Sequence, residues 1–361
     1  MRLTQKNLAH YLIDRDFLDM EDIMNGNYML SQAQSRNAIF KVSLGCKTGR
    51  FVKQLISMDH QNAYFMQKDA TMHYLIHHSE LYKALRSGIP PYFGYDSKEH
   101  VFVTGYYPGA QNLFEWCEAH QKLSITHAQA IADLLSTLHL NIKNEIPKNP
   151  SLQFFNGELP WIIDVPKWTS APDDAFFQWL REDAYLSQQL DALRLGWSGD
   201  SLIHGDIKLV NFLVVEAGEA AQIKLIDWEI ANLGDPLWDV AGLLQSYLFF
   251  WIVSRQPGPD GYQLPVLKAH WDAPSRHKVT TAFWEAYAGQ QQWSDEELKA
   301  AKEKTVRYTA ARLLQSAKEL NQFNPAQFSP HSLQLIQLVR RLFKAPAKAA
   351  KDLLGIKDKS K

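Results

Sequence analysis

Between about Gly26 and Tyr107 the apolar residues come in short β-favouring runs with one helical stretch among them. Ile39–Leu44 (IFKVSL) and Phe51–Ile56 (FVKQLI) flank Gly45-Cys46-Lys47-Thr48-Gly49, which predicts a hairpin closed by a Gly-bounded turn. From Thr71 to Arg86 the spacing is helical, and Ser87-Gly88 followed by Pro90-Pro91 supplies stop chemistry. A strand over His100–Tyr107 closes at Pro108-Gly109. Beyond it the pattern turns mostly helical. Thr126 reads as the N-cap of a helix running to Leu140, with Ile131, Leu134, Leu135 and Leu138 as its apolar positions. Asn211–Val215 and Ile223–Ile226 read as two short strands, the second ending at Asp227, and helix resumes from Asp239. The pattern predicts an α+β chain with a small β-rich part, residues 1–104, and a larger helical part, residues 105–361.

Length agrees with that division: 361 residues, 46% of them hydrophobic, are enough for about two domains. Lys and Arg number 38 against 39 Asp and Glu, a formal charge of −1. That balance argues against a basic nucleic-acid or membrane-surface binder and against an acidic disordered chain. Two cysteines, Cys46 and Cys117, make neither a disulfide scaffold nor a Cys-based zinc site. The opening MRLTQKNLAHYLIDRDF lacks the apolar core of a signal peptide. The longest apolar run, Val240–Val253, carries Gln245 and Ser246 and falls short of about 18 residues, so a buried helix is expected. A cytoplasmic protein without membrane or nucleic-acid partners is the expectation. Residues 141–200 hold five Lys and Arg against nine Asp and Glu and are rich in aromatics, and 341–361 form a basic tail.

The turn GCKTG is not a phosphate loop, because that motif needs a Gly directly before the Lys and Cys46 stands there. Chemistry gathers later, in HGDIKLVNFLV (His204–Val214) and IKLIDWE (Ile223–Glu229). Asp206, Lys208 and Asn211 lie on a loop between apolar strands, and Asp227 ends the following strand, where a hairpin can bring it beside Asn211. This set suits phosphoryl transfer. One carboxylate orients a hydroxyl and takes its proton, an ammonium offsets charge on the moving group, and an amide oxygen with a second carboxylate binds Mg2+. His73 and His77 have i,i+4 spacing but no evident third ligand, so the His73, His77, His78 group reads as surface or satisfied core.

The HGD-x-K-x-x-N pattern, Asp227-Trp228-Glu229, GDPLWDVAGLL (Gly234–Leu244) and LLSTLH (Leu134–His139) together resemble the aminoglycoside phosphotransferase/choline kinase-type family, relatives of protein kinases. The resemblance spans roughly 25 to 340. It implies a two-lobed protein-kinase-like fold and an ATP- and Mg2+-dependent kinase acting on an alcohol group. Residue by residue, it implies Asp206 as the catalytic aspartate, Lys208 as a phosphate-facing lysine, and Asn211 and Asp227 as magnesium ligands. Lys53 corresponds to the lysine on the α- and β-phosphates and Glu80 to its ion-pair partner. Val103-Thr104-Gly105-Tyr106 corresponds to the hinge whose backbone holds adenine, with Thr104 and Tyr106 in the nucleotide site. Ser35-Arg36-Asn37 corresponds to the loop over the phosphates, although SQAQSRNA replaces the glycine-rich sequence of protein kinases, which bears on Ser35 and Asn37. Asp239 and His204 correspond to residues that brace the catalytic loop.

The acidic, aromatic stretch 141–200 falls where the family inserts acceptor-binding elements, which suits an amino sugar or amino alcohol. The run Leu225–Trp251 is similar to class V lanthipeptide kinases, which implies a peptide Ser/Thr acceptor as an alternative. A nucleotide-binding pseudokinase is a third reading, opposed by the competent residues at all six polar positions.

Overall fold

The computed structural model describes residues 1–26, 28–34, 37–45, 48–57, 59–140, 142–170, 174–217, 220–253, 269–321 and 328–356. In chain order it opens with α1 (Leu8–Asp14), a short α2 (Met20–Met24), β1 (Tyr28–Gln34), β2 (Asn37–Leu44) and β3 (Thr48–Leu55). Then come α3 (His60–His78), a 3-10 segment (Glu80–Gly88), β4 (Tyr92–Asp96), β5 (Val101–Gly105) and β6 (Gln111–Asn112). The middle holds α4 (Leu113–His120), α5 (Ile125–Leu138), α6 (Pro150–Gln153), α7 (Val165–Thr169), α8 (Ala175–Glu182), α9 (Ala184–Leu195) and β7 (Ser201–Ile203). A 3-10 turn (Leu209–Asn211) leads into β8 (Phe212–Ala217), β9 (Ala220–Leu225), β10 (Asn232–Gly234) and α10 (Pro236–Val253). The chain continues through α11 (Ala273–Gly289), α12 (Asp295–Leu320), α13 (Pro330–Lys344) and α14 (Pro346–Leu354).

Two compact units emerge, Met1–Leu113 with Val210–Ala231, and Phe114–Leu209 with Asn232–Lys361. The sequence reading divided the chain once, after residue 104. The division instead falls at Leu113, and the β8–β9 hairpin joins the first unit because β6 pairs with β8.

In the first unit an antiparallel sheet runs β1-β2-β3-β5-β4. The two-residue period sorts its side chains by face. Ala38, Phe40, Val42, Val52, Val101 and Val103 turn inward onto Leu8, Tyr11 and Leu12 of α1. The alternate residues lie on the opposite face, and the register sets them in two cross-strand rows: Lys41–Phe51–Thr104 and Ile39–Lys53–Phe102. The face left over after core formation thus presents Lys41 and Lys53 among aromatic rings.

The predicted helix over 71–86 is replaced by two elements. α3 starts at Asp59, whose carboxylate caps the Asn62 N–H at 2.8 Å, and stops at Ser79. Ser79 is extended (φ −86, ψ 133), closes α3 through its N–H to Leu75, and its hydroxyl receives the Leu81 N–H at 3.2 Å. One serine therefore ends α3 and begins the 3-10 segment. α5 is capped by Ser124 and not by Thr126.

In the second unit β7 and β10 pair antiparallel beside a set of helices. α10 is apolar around its circumference and 78% buried, a core helix as the sequence pattern predicts. α12 starts with a capping box, Ser294 and Glu297. Cys117 is buried, and burial pushes its thiol up to about 12, which leaves it inert at neutral pH.

Candidate active site

The outer face of the first unit's sheet borders a cavity of about 340 Å3, within the range of small-molecule sites. Phe51, Phe102, Leu213 and Ile226 give it apolar walls, and Lys41, Lys53, Asp69, Thr104, Tyr106 and Asp227 supply its polar groups. Lys53 lies 2.9 Å from Asp69 and 3.3 Å from Asp227. Burial alone would lower its pKa, but the two carboxylates outweigh that, so the ammonium is held above its usual range. Asp227 is 31% exposed and adopts φ +71, a left-handed conformation that Asp tolerates better than most residues. Next to it the Ile226 N–H donates to the Asn211 carbonyl at 3.0 Å, tying the end of β9 to the turn before β8.

Glu80 is not the partner of Lys53, which corrects the sequence reading. Its side chain is 76% exposed and faces Lys83 at 3.3 Å and Arg86 at 3.4 Å. The reason is the break at Ser79, which puts Glu80 outside α3. Asp69, in the middle of α3 and 4% exposed, takes the place and also accepts the Trp228 N–H at 3.3 Å. A signal for it exists in the sequence. Met66, Asp69, Ala70 and His73 share the buried face of one helix, and an acid on such a face requires a partner.

Thr104 and Tyr106 both line the cavity. Two of that segment's donors are already committed, however: Gly105 N–H to the Pro91 carbonyl (2.8 Å) and Tyr106 N–H to the Gly49 carbonyl (3.1 Å). Asn37 borders a small polar void together with Lys53, Asn62, Asp69 and Glu229. Ser35 and Arg36 lie outside the described residues, as does the end of the basic tail, 357–361.

His73 also reaches the cavity wall and stands edge-on to Phe102, 5.2 Å between ring centroids. Burial, opposed by Asp69, pushes its imidazole down from 6.5 to about 4. The unfolded chain therefore binds a proton between these values that the folded chain refuses. Stability is expected to fall by up to ~3 kcal/mol as pH drops through that window. Urea unfolding of wild type and His73→Gln across pH 4 to 7 checks this; equal slopes in the two proteins would refute it.

In the second unit the loop after β7 holds Asp206 and Lys208, whose ammonium approaches the Asp206 carboxylate to 2.6 Å. The loop is braced from inside by Asp239, a fully buried carboxylate. It accepts the His204 N–H at 2.6 Å, the Gly205 N–H at 2.9 Å and a contact from His139 Nε2 at 3.1 Å. Burial alone would raise its pKa, but the His139 hydrogen bond and charge and the backbone donor hold it below the ordinary carboxylate range. His204 is itself buried, and its Nδ1 accepts the Asp206 N–H at 3.2 Å. Both residues thus occupy the bracing positions that the resemblance implies.

Among the described residues no group of three or more His, Cys, Asp or Glu side chains could hold a metal unaided. Asp227 offers carboxylate oxygens and Asn211 an amide oxygen, donor chemistry that would suit a cation such as Mg2+ that keeps water and phosphate ligands of its own.

Residues 89–279, more than half of the chain, match the family described as "Phosphotransferase enzyme family". No curated protein matches the chain in sequence. Among solved structures, choline kinase from Cryptosporidium parvum Iowa II is 14% identical with a TM-score of 0.54, over 96% of this chain and 99% of that one. A choline/ethanolamine kinase family protein from Mesorhizobium loti is 16% identical with a TM-score of 0.52, over 94% and 96%. A streptomycin-ATP-APH(2")-IIa ternary complex is 12% identical with a TM-score of 0.50, over 93% and 99%. The likeness is one of fold: a sheet-bearing first part and a helical second part, the protein-kinase-like arrangement.

Proposed function

The chain belongs to the phosphotransferase enzyme family, and from that premise we propose that it transfers the γ-phosphoryl group of Mg-ATP to a hydroxyl of a small amine-bearing acceptor. The observation that carries the nucleotide half is the Lys53–Asp69–Asp227 set in a cavity with apolar walls. Apolar walls suit a purine ring, and a lysine held by acids suits phosphate oxygens. Lys53 binds the α- and β-phosphates while Asp69 orients it, and Thr104 and Tyr106 bound the purine. Asp227 and Asn211 hold the magnesium, which when bound screens the phosphate charge. Asp206 orients the acceptor hydroxyl and accepts its proton, and Lys208 offsets charge on the transferred group. Rate in this chemistry comes mainly from positioning and electrostatics.

An amine-bearing acceptor is supported by the 141–200 stretch. There the Lys318 ammonium, 2.6 Å from Asp174, lies 4.9 Å from the Phe177 ring centroid and 5.8 Å from that of Trp161. Aromatic faces and a carboxylate in this stretch already accommodate an ammonium. The test is ADP release from Mg-ATP with ethanolamine, choline, streptomycin and a Ser/Thr peptide pool. Transfer to a hydroxylated amine is expected. Transfer to peptides alone would replace the acceptor, and nucleotide-induced thermal stabilisation without turnover on any of them would replace the enzyme by a binding module.

The partner exchange at Lys53 has a direct test. Asp69→Asn is expected to lower kcat/KM for ATP by about 10²-fold, since a misplaced lysine misplaces the phosphates. Glu80→Gln, at an exposed position, should stay near wild type. Steady-state kinetics on both variants decides; the reverse ranking would restore Glu80.

A further inference from the structure

We infer that Arg312, on α12, is a positioning residue for the loop that carries Asp206; this rests on the reading of Asp206 as the group that orients the acceptor. α12 turns Lys302, Thr305, Thr309 and Arg312 to its buried side at spacings of three and four, an unusual polar stripe for a core-facing helix. The Arg312 side chain is 6% exposed. Its Nη1 donates to the Gly205 carbonyl at 2.8 Å and its Nη2 to the Ile207 carbonyl at 3.0 Å. One planar cation thus grips the peptide carbonyls on both sides of Asp206. Nη2 also lies 3.7 Å from Asp206 Oδ1, while Lys208 takes Oδ2.

The surroundings are shaped for this cation. Its Cζ lies 5.1 Å from the centroid of the Trp238 ring, and the Trp238 Nε1–H donates to the same Gly205 carbonyl at 3.0 Å. Gly242 faces it: a Cβ there would come within 3.1 Å of Arg312 Cζ and 2.5 Å of the Ile207 carbonyl oxygen. Two carbonyl acceptors two residues apart are met by a rigid fork of donors. A lysine offers a point charge and cannot reach both with the same geometry. The guanidinium therefore fixes the peptide planes that set the direction of the Asp206 side chain, and it places positive charge beside that carboxylate.

The test uses Arg312→Lys and Arg312→Met, with Arg307→Lys on the exposed side of the same helix as control. Mg-ATP turnover is measured with ethanolamine and with water as acceptor, alongside melting temperature and hydrogen exchange of residues 201–211. Arg312→Lys is expected to melt close to wild type, to keep its KM for ATP, to lose about 10²-fold in kcat and to exchange faster at 203–208. If Arg312→Met does not fold, the lysine variant decides alone. Wild-type exchange at 203–208 in Arg312→Lys would overturn the inference. So would a rise in KM for ATP in step with a lower melting temperature, the mark of lost packing only. Full turnover in Asp206→Asn would instead sink the reading of Asp206, and the exchange data would still show whether Arg312 holds the loop.

Discussion

Asp227→Asn is expected to leave a folded protein that no longer turns over Mg-ATP. Asn tolerates the φ of +71 at this position, whereas alanine would add backbone strain of about 1–2 kcal/mol and blur the result. The amide keeps the shape but removes the negative charge that faces both Lys53, at 3.3 Å, and the proposed magnesium. Lys53 keeps its closer partner, Asp69 at 2.9 Å, so its placement should survive. Loss of a metal's charge stabilisation is worth several kcal/mol, which corresponds to a fall of about 10³-fold or more in turnover. Coupled measurement of ADP release over a Mg2+ titration reads this directly. Normal turnover at normal Mg2+ would remove Asp227 from the site.

Asp206→Asn should cost about 10²–10⁴-fold in kcat, the range for a positioned base, with little change in KM for ATP. The split matters, because a nucleotide-binding residue would raise KM as well. Asn is again the cleaner variant. Alanine would leave Lys208 and the buried Arg312 facing an empty space and could lower stability for reasons unrelated to chemistry. Single-turnover kinetics with saturating Mg-ATP measures the step itself. A near-normal rate would mean that another group orients the acceptor hydroxyl.

The β-strand pattern was readable because period-two alternation is local. It gave the strands, whereas the face that Lys53 shares with Thr104 follows from the register. Asp206, Lys208 and Asn211 stand out in the sequence because their spacing is short. What failed was a boundary. Residues 71–86 carry helical spacing without interruption, and only the backbone of Ser79 shows that the helix stops there. That break moved the ion-pair partner from Glu80 to Asp69. Arg312 escaped notice for a different reason. It lies more than a hundred residues from the loop it serves, and no local pattern reports a tertiary hydrogen bond. The stripe Lys302, Thr305, Thr309, Arg312 was the available clue, since polar residues on a helix's inner face signal partners elsewhere.

The discontinuous make-up of the two units constrains how such a chain can be cut or recombined. A fragment ending at Leu113 would lack Val210–Ala231, and with it both Asn211 and Asp227, and would leave Gln111–Asn112 without a neighbouring strand. A fragment starting at Phe114 would carry that hairpin away from the sheet region it belongs to. Shuffling by a single crossover would therefore yield two incomplete halves, and a functional chimera has to exchange both pieces of a unit at once.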